Sequence, residues 1–475
     1  MALAVLALSG GHSDDPKTPA GLPGLPPPFF GVAVVGSGGR TEAVDAYGNV
    51  VDLREPGPAG EPLVAVSAKR QRAGTVPESD AIVVRVQLGG GRTVPLWEAD
   101  SVRQRYLRGT NTLLTIARFG NERRVVVRRG GGSGGERADR RWLARARPLG
   151  LGAPRWARQM YRRSLLVLRA LTDRRTWAAV AGARDGWAYV WPRDAAAVAI
   201  ALAAAGFQPE ARRVVRFLAG LDLSAAARFD GTGAPIPGRG AQGDAAGWVE
   251  AAARAAGMLR GGASAAPWRW RGRADYQEGE GGDYLGNAIA SPFAWAKTPP
   301  HGERRSTPAR RWRESLAAFT TARGLIRTAG DPSSGLDSTA AWAVRPFTQP
   351  PLFPAVRRTL LRLVAHRESR FGLLPSEHWH GGIDPWTAPT AWSAWALAAL
   401  ARKESDPRRA HADRRAALSL MADLRRAATP LGLLPERVDA RTGLPTSTTP
   451  LAWSHAFAIL ALNELWPDVP LLGPT

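Results

Sequence analysis

The chain has 475 residues, of which 44% are apolar, so it can bury a large core distributed over roughly two or three domains. It contains no cysteine, which excludes disulfide bonds, thiolate metal sites and a cysteine nucleophile. The net charge is +23, but arginines are spread along the chain, with pairs in several predicted helices, and form no long basic block between aromatic residues, so we expect no nucleic-acid partner. The seven histidines show no metal-ligand spacing; we expect no cofactor and no zinc, whereas a calcium ion held by oxygen ligands stays open.

The first 28 residues are interpreted as a disordered arm or a truncated signal. The apolar start lacks the basic residues that open a secretory signal and is too short to span a membrane. Residues 15–28 are rich in proline and glycine, which is typical of an extended arm. No later apolar run reaches roughly 18 residues, so no membrane span is expected. A secreted or cell-envelope location is favoured over a cytoplasmic one.

Residues 29–129 are predicted to form a β-sandwich domain, followed by a linker over 130–154. β-Branched runs bounded by Gly, Asn and Pro recur there at the spacing typical of a sandwich. These runs cover residues 29–36, 81–88, 111–119 and 123–129. The sequence GGGSGG that begins at Gly130 is typical of a flexible linker.

From Pro154 onward, apolar residues recur at helical spacing. Eight helices are predicted, over residues 158–173, 193–206, 209–221, 244–259, 314–330, 355–369, 389–403 and 450–465. With two weaker candidates the total is about ten or eleven. Several are apolar on nearly all sides, which predicts burial on both faces. The sequence therefore indicates a multi-domain, mainly α protein.

One sequence pattern occurs twice in the helical region. GLLP, a polar loop with glycines, a Thr/Pro step and AWS with an Ala/Leu run begin at Gly372 and again at Gly432, about 60 residues apart. This spacing fits two helices and two loops, and stacked hairpins of that kind form a toroid of inner and outer helices. YVWPRDAAAVAIALAAAG, 189–206, fits as an earlier copy. Loops that enter the inner helices should converge at one mouth of the toroid.

Three of these loops, 186–194, 370–386 and 432–443, combine aromatic residues with arginines and carboxylates. Aromatic rings pack on pyranose C–H faces, and planar charged groups pair with sugar hydroxyls. The candidate sugar-binding residues are Trp191, Arg193, Asp194, Arg370, Glu377, Trp379 and Trp386. A single tryptophan is more often a core residue, but clustering on equivalent loops favours a sugar site. Glu436 suits a general base that holds a water; a structural carboxylate satisfied by Arg437 or backbone amides is an equal alternative.

With these segments the chain resembles the bacterial glucoamylase-like enzymes of glycoside hydrolase family 15 over most of its length. GVAVVGSGGRTEAVDAYGNVVDL (31–53) and QRYLRGTNTLLTIARFG (104–120) resemble the N-terminal β-sandwich of that family. VWPRDAA (190–196) is similar to its substrate-gripping loop, and RFGLLPSEHWHGGIDPW (370–386) to its Gly-Gly-x-x-Pro-Trp segment. LLPERVDARTG (433–443) is similar to its catalytic-base segment.

The resemblance implies a β-sandwich followed by an (α/α)6 catalytic toroid over 155–475. It also implies hydrolysis with inversion at the anomeric carbon, in which Glu436 is the general base. Arg370 would line the neighbouring subsite. The residues implied to hold the terminal sugar are Trp191, Arg193 and Asp194.

The general acid is where the sequence departs from this family. The family carries a Trp-Glu step ahead of a Phe-Thr helix, whereas here Trp312 is followed by Arg313, which cannot donate the proton. The first candidate is therefore Glu314, one residue later. The loop 275–286 is a second source, and a protein without a functional acid is the third possibility. The candidate acids in that loop are Glu278, Glu280 and Asp283.

Together these observations predict an exo-acting, inverting glycoside hydrolase that releases glucose from α-glucans, with an oligo- or polysaccharide as its partner. One alternative is a related α-glucosidase acting on dextran, isomaltose or trehalose. Others are a glycan lyase or β-glycosidase on a similar toroid, and a glycan-binding relative without a working acid.

Overall fold

The computed structural model describes residues 4–7, 32–67, 80–120, 123–258, 273–279, 282–295 and 315–468. Of the predicted arm or signal, 1–28, only Ala4–Ala7 falls in these ranges, as a short strand. The rest of that prediction lies outside the described residues. Within the described ranges, no helix combines the length and apolar character needed to cross a lipid bilayer.

The described strands lie mainly before residue 130. They are β1 Ala4–Ala7, β2 Ala33–Val35, β3 Thr41–Val44, β4 Val50–Glu55, β5 Glu61–Ala65, β6 Val83–Gln87, β7 Thr93–Pro95, β8 Ser101–Tyr106, β9 Leu113–Phe119, β10 Arg123–Arg129, β11 Ile326–Thr328 and β12 Asp331–Leu336. Neighbouring strands pair antiparallel in sheets ordered β2-β3-β4-β5, β1-β6-β7, β8-β9-β10 and β11-β12. Each of the four β-branched runs contains a strand, so these strand predictions are confirmed.

Strand β10 shows why these segments form sheets. Val125 and Val127 are buried while Val126 is 46% exposed, because successive side chains of a strand point to opposite faces. The register with β9 puts Val125 opposite Ala117 and Val127 opposite Thr115, and both partners are buried. One face of this sheet therefore packs into the core.

The described residues form ten α-helices. They are α1 Gly132–Ala144, α2 Arg155–Ala170, α3 Pro192–Ala204, α4 Gln208–Ala219, α5 Ala245–Ala255, α6 Leu285–Trp295, α7 Phe353–Ala365, α8 Thr387–Lys403, α9 Pro407–Ala427 and α10 Ala452–Leu465. Seven of the eight predicted helices are confirmed, as α2, α3, α4, α5, α7, α8 and α10.

The helix predicted over 314–330 is wrong for most of its length. After a helical stretch at 315–317, the chain turns and enters the hairpin of β11 and β12. Thr321 and Gly324 exchange backbone hydrogen bonds across the turn. Gly324 has a φ of +145°, and a Cβ there would lie 2.3 Å from the Thr359 hydroxyl oxygen. Only glycine fits this turn, and a turn ends a helix.

The prediction of a flexible linker from Gly130 is also wrong where α1 forms. The helix is fixed because its Asp139 is buried and bridges two parts of the chain. Its carboxylate accepts hydrogen bonds from the hydroxyl of Ser37 and the N–H of Asn111, and it pairs with Arg169 of α2 at 3.1 Å. Burial of a hydrogen-bonded carboxylate outweighs the weak helix propensity of the glycines.

The buried helices contact one another in a closed series. α3 contacts α5, α5 contacts α6, and α6 contacts the 3-10 segment Ser338–Ala343. That segment contacts α8, α8 contacts α10, and α10 returns to α3. A second set packs against this series: α4 on α3, α7 on the 3-10 segment, α9 on α8 and α2 on α10. Nearly every residue of α3, α8 and α10 is buried, as their all-round apolar sequences predict.

Tryptophans from four elements of this series meet at its centre. Trp248 of α5 packs edge to face on Trp342 at 5.1 Å between ring centres. Trp342 packs on Trp392 of α8 at 5.4 Å, and Trp392 packs on Trp453 of α10 at 5.3 Å. Edge-to-face packing fixes ring orientation as well as burying area. The N-terminal ends of the buried helices are thereby held together.

Candidate active site

A cavity of about 260 Å³ lies where the loops before α3, α8 and α10 meet. Six residues singled out in the sequence line it: Trp191, Arg193, Asp194, Trp379, Trp386 and Glu436. They come from three loops that are far apart in the chain. Their meeting follows from the common direction in which the loops enter the buried helices.

Glu436 lines this cavity. Its side chain is mostly buried, with 14% exposed. Its Oε2 accepts a hydrogen bond from the Ser447 hydroxyl, and its Oε1 accepts one from the indole Nε1 of Trp187 at 3.4 Å. The Nε of Arg437 is farther away, at 4.0 Å. Two side chains, rather than Arg437 or backbone amides, hold the carboxylate. An anchored carboxylate open to the cavity can hold a water in one position.

The backbone at Glu436 is fixed from both sides. Its N–H donates to the carbonyl of Thr448 at 2.9 Å. Its carbonyl accepts from the N–H of Thr387, the first residue of α8, at 3.0 Å. The segment that carries Glu436 is therefore attached to the start of a buried helix.

His455 joins this segment to α10 and α2. Its Nε2 accepts from the N–H of Leu434 at 2.9 Å, and its Nδ1 lies 2.9 Å from the hydroxyl oxygen of Ser164 in α2. Burial lowers the pKa of His455 to about 3, and Arg163 lowers it further. The ring is therefore neutral, and since Nε2 is an acceptor, Nδ1 carries the proton toward Ser164.

Arg193 is a buried cation at the start of α3. Its Nη1 donates to Gln242 Oε1 at 2.8 Å and to Asp244 Oδ2 at 3.0 Å. Its guanidinium carbon lies 4.7 Å from the centre of the Trp453 ring. Burial alone would lower the pKa of Arg193, but the carboxylates of Asp244 and Asp194 raise it. A charge held on several sides is a fixed donor for a bound hydroxyl.

Asp194 shares this buried environment. Its Oδ2 lies 3.5 Å from Nη2 of Arg193 and, within the described residues, has no hydrogen-bond partner. Burial raises the pKa of Asp194 to about 7; Arg193 lowers it, while Glu436 and Asp244 raise it further. Near neutral pH the carboxyl group can donate or accept a hydrogen bond. In the described part of the chain, no group of three or more His, Asp and Glu side chains is placed to bind a metal ion.

Tryptophans form the apolar walls of the cavity. Trp379 and Trp386 pack edge to face with ring centres 5.4 Å apart. The indole N–H groups of Trp191, Trp379 and Trp386 are buried and have no hydrogen-bond partner among the described residues. Buried polar groups are normally paired, so these donors suit a ligand rich in hydroxyls.

The loop that carries Trp187 is tied to the β-rich part of the chain. Arg184 is buried, donates to the carbonyl of Val66 beyond β5, and lies 3.1 Å from Asp185 through its Nε. Asp185 has a φ of +53°, which residues other than glycine rarely adopt. Such backbone strain persists only where the surroundings hold it. The contact of Arg184 with the β-rich part of the chain thus fixes the loop that carries Trp187.

Glu278 lines the same cavity from another loop, and half of its side chain is exposed. Its φ is +62°, again in the region that favours glycine. The carboxylate of Asp275 holds this turn, accepting from the N–H groups of Gln277 at 3.1 Å and Gly279 at 2.9 Å. Asp275 is itself paired with Arg327 at 3.0 Å. Backbone strain at an anchored carboxylate in a cavity is typical of a functional residue.

The turn at Glu278 and the Arg193 cluster are connected. Gln242, which accepts from Arg193, donates through Nε2 to the carbonyl of Asp275 at 3.2 Å. Gln277, next to Glu278, donates to Asp337 at 3.0 Å. Because all of these groups except Glu278 are buried, the turn cannot move without breaking the cluster.

Arg239 interacts with two of the three carboxylates that line the cavity, Glu278 and Glu436. It forms an ion pair with Glu278 and lies 5.4 Å from the centre of the Trp191 ring. Burial lowers the pKa of Arg239, Arg228 lowers it further, and Glu436 raises it. Arg239 is therefore a further cation of the cavity, besides Arg193 and Arg437.

Two predicted sugar-binding residues lie away from the cavity. Arg370 is exposed, and its backbone carbonyl accepts from Arg426 of α9 at 2.8 Å. Glu377 accepts from Arg323 and from the N–H of Leu336 at 3.1 Å. Burial alone would raise the pKa of Glu377, but these contacts hold it below its usual range. Its carboxylate thus fixes the end of β12, and the geometry does not support sugar contacts for either residue.

The other candidates for the general acid differ in where they lie relative to the cavity. Glu314, with Trp312 and Arg313, lies outside the described residues, and so does Glu280. Asp283 is described but does not line the cavity. The described part of the chain therefore brings one of the predicted candidates, Glu278, to the cavity.

Sequence reasoning missed Asp244, Gln242, Arg239 and Trp453 as parts of the site. A signal for Asp244 was present: GDAAGW at 243–248 repeats the Asp-Ala-Ala step of RDAAAV at 193–198, each at the start of a buried helix. Trp453 lies in the repeated AWS. Arg239 carries no such pattern.

Neither a family model nor a curated protein matches the sequence. Solved structures do match. A bacterial glucoamylase complexed with acarbose has a TM-score of 0.65 at 12% identity, over 98% of this chain and 97% of its own. The glucoamylase from Saccharomycopsis fibuligera has a TM-score of 0.53 at 13% identity, over 65% of this chain and 94% of its own. A glycosidase has a TM-score of 0.50 at 18% identity, over 68% of this chain and 98% of its own.

At these identities the similarity concerns the fold alone. The bacterial glucoamylase matches nearly the whole of both chains, so the likeness includes the β-rich part as well as the helices. The chain has a glucoamylase-like fold, and the resemblance noted in its sequence is confirmed at that level.

Proposed function

We propose that the chain is an inverting glycoside hydrolase that releases glucose from the non-reducing ends of α-glucans. The observation that carries this proposal is the presence of Glu436 and Glu278 on one cavity, together with a buried arginine and tryptophan walls. Structures of similar fold add support, since a glycosidase is complexed with glucose and a bacterial glucoamylase with acarbose.

For the architecture, we propose an (α/α)6 toroid over 155–475 and a β-sandwich over 29–129. The closed series of six buried elements, four of which are backed by an outer helix in the described part of the chain, supports the toroid. The alternating burial along β10 supports a sandwich, because a sandwich packs one face of each sheet into the core between them.

In the proposed reaction Glu278 is the general acid and Glu436 the general base. Glu278 gives its proton to the glycosidic oxygen as the bond from that oxygen to the anomeric carbon breaks. Glu436 takes a proton from a water that attacks this carbon from the opposite face. The products are glucose of inverted configuration and a shortened glucan. Inverting carboxyl pairs lie roughly 6.5–9.5 Å apart, which leaves room for the water.

Arg193 and Asp194 are assigned to the hydroxyls of the terminal sugar. Arg193 supplies fixed donors and Asp194 a carboxyl group that can donate or accept. Trp191 is assigned to one face of the ring. Such contacts lower the barrier only when they are stronger in the transition state than in the bound substrate.

Anomer-resolved NMR of maltotetraose digestion tests the proposed function. The first glucose released should be the β-anomer, because inversion converts an α-linkage. Release of α-glucose would contradict the inverting mechanism. Release of maltose instead of glucose would contradict the exo-acting glucosidase.

The ion pair of Glu278 with Arg239 favours a second candidate, a glycan-binding protein without hydrolysis. A neighbouring cation stabilises the ionised carboxylate, which cannot act as an acid. Retained binding of maltotetraose by calorimetry, with no turnover between about pH 4 and pH 8, would support this candidate.

A further inference from the structure

A second cavity, of about 440 Å³, lies between α1, α2 and α4, and shares no lining residue with the active-site cavity. Its floor is apolar, formed by Trp142, Leu168 and Leu202. Five arginines line it: Arg141, Arg145, Arg169, Arg174 and Arg213. We call it the arginine cleft.

Positive charge in the arginine cleft exceeds negative charge. Arg169 pairs with Asp139 at 3.1 Å and Arg145 pairs with Glu210 at 2.6 Å. The other three arginines have no carboxylate partner among the described residues. They are Arg141, Arg174 and Arg213. Like charges at close range repel, so this arrangement is less favourable without an anion than with one.

Two arginines of the cleft repel a third across it. Burial lowers the pKa of Arg169; Asp139 raises it, and the positive charges of Arg174 and Arg145 lower it. The repulsion shows that the charges of α1, α2 and the loop after α2 act on one another. An anion between them would interact with several at once.

The cleft is built on fixed aromatic rings. Trp142 stacks on Phe207 with ring centres 4.1 Å apart, and the guanidinium carbon of Arg169 lies 4.9 Å from the Trp142 ring centre. Arg213 lies 4.8 Å from the ring centre of Trp177. Trp177 has a φ of +67°, a strained value for a bulky residue. Stacking holds the planes of Arg169 and Arg213 in place, and for Arg213 it reduces the entropy lost on binding an anion.

One acceptor accompanies these donors. The Oε2 atom of Glu210 is buried, lines the cleft, and has no hydrogen-bond partner within the described chain. Its Oε1 atom accepts from Arg145. A ligand that fits both features carries an anionic group for the arginines and a hydroxyl group for Glu210.

We propose that the arginine cleft binds a phosphate ester of a sugar or polyol. The phosphate lies against Arg141, Arg174 and Arg213, and a hydroxyl of the same ligand donates to Glu210. Phosphate suits this site because it carries up to two charges and three acceptor oxygens, which planar guanidinium groups contact in pairs. This site does not depend on the activity proposed above.

Calorimetry at low ionic strength with ribose 5-phosphate tests the site, with ribose and inorganic phosphate as reference ligands. Ribose 5-phosphate should bind with a stoichiometry of one, more tightly than phosphate, and ribose should not compete with it. The double variant Arg174→Gln/Arg213→Gln should weaken its Kd by about tenfold or more. The Glu436→Gln variant should bind it like the parent protein, which separates the cleft from the active-site cavity.

The matched control is Arg408→Gln/Arg415→Gln, which removes the same charge from exposed positions on α9. An equal loss of affinity in this control would reduce the effect to net charge and overturn the site. Absence of saturable binding would also overturn it, as would unchanged binding in the double variant with an unchanged melting temperature. Equal affinity for phosphate and ribose 5-phosphate would overturn the assignment of an ester and of Glu210.

Discussion

Glu436 is held at both carboxylate oxygens, by Ser447 and by Trp187. Glu436→Gln keeps the shape but removes the base; its amide oxygen can still accept from Trp187, and its NH2 group can donate to the Ser447 hydroxyl. We expect hydrolysis of maltotetraose to fall by about 10²–10⁴-fold, and the melting temperature to stay within a few degrees. Ser447→Ala is the control; it loosens the carboxylate and should reduce kcat less. A large loss of stability with substantial activity would identify Glu436 as structural.

Glu278 and Glu314 are rival acids that one pair of substrates can separate. Glu278→Gln should lose most activity on maltose, but much less on α-glucosyl fluoride, whose leaving group needs no proton. Glu314→Gln is the matched variant and should retain both activities. The reverse pattern would assign the acid to Glu314. Equal loss on both substrates in the Glu278 variant would exclude it from proton donation.

Arg239 sets the pH range in which Glu278 can act. A cation beside a carboxyl group favours the ionised form, so Arg239→Gln should keep Glu278 protonated to higher pH. The alkaline limb of the kcat/KM profile should move upward. Arg228→Gln removes the same charge without the ion pair and should leave the limb nearly in place. A downward shift would contradict Glu278 as the acid.

The proposed general acid, Glu278, could not be chosen from residue types alone. Trp312 and the Phe-Thr step direct attention to Glu314, while the loop with Glu278 reads as one more acidic surface segment. What distinguishes Glu278 is its strained φ and the support from Asp275 and Gln277, which are properties of a folded turn. That Glu436, Arg193 and Asp194 meet at one cavity was predictable because a repeat marks their loops.

One side chain of α10, His455, contacts the segment that carries the proposed base, Glu436. His455→Leu would leave the N–H of Leu434 and the hydroxyl of Ser164 without their partner, at a cost of about 1–3 kcal/mol for each buried group. We expect a lower melting temperature and a larger fall in kcat than rise in KM. His455→Gln, which can still accept from Leu434, should recover part of kcat. Ser164→Ala is the control and should lower stability with kcat nearly unchanged.

If His455→Leu lost stability but kept its kcat, His455 would support the fold without positioning the base. If the Gln variant recovered stability without kcat, the Leu434 contact would not matter for catalysis.

Elements were predictable where periodicity was strong. α3, α8 and α10 follow from long alanine- and leucine-rich runs, and β10 from its valines. The β11–β12 hairpin was missed because the turn that ends the helical stretch before it depends on the fit of Gly324 against Thr359, residues brought together by the fold. Helix α1 was missed for the same kind of reason, since a buried ion pair offsets its glycines.

The whole molecule should be most stable in mildly acidic solution. Five buried carboxyl groups have pKa values raised by burial to about 6 or 7, above their unfolded values: Asp45, Asp52, Asp194, Glu250 and Asp337. The folded state therefore binds more protons, and the stability they contribute is lost as pH rises through these values. His455 has the opposite sign, because its pKa is lowered, but it is a single group.

The melting temperature should therefore fall as pH rises from about 5 to about 8. Exposed carboxyl groups are already ionised above about pH 5, so repulsion from the net charge changes little over this range. Asp194→Asn removes one of the five groups and should make the fall shallower. A melting temperature that rises over this range would show that the buried carboxyl groups are ionised.

The contact between Arg184 and Val66 has a consequence for modularity. The chain is β-rich before residue 130 and mainly helical after it. This boundary suggests that either part could be exchanged for its counterpart from another protein. Yet the loop with Trp187 relies on a carbonyl in the β-rich part. A chimera with a foreign β-rich part would leave a buried guanidinium short of an acceptor, and the loop beside the base would carry that defect. We therefore expect the two parts to be exchanged only together, and substitutions around Val66 in relatives to vary together with those around Arg184.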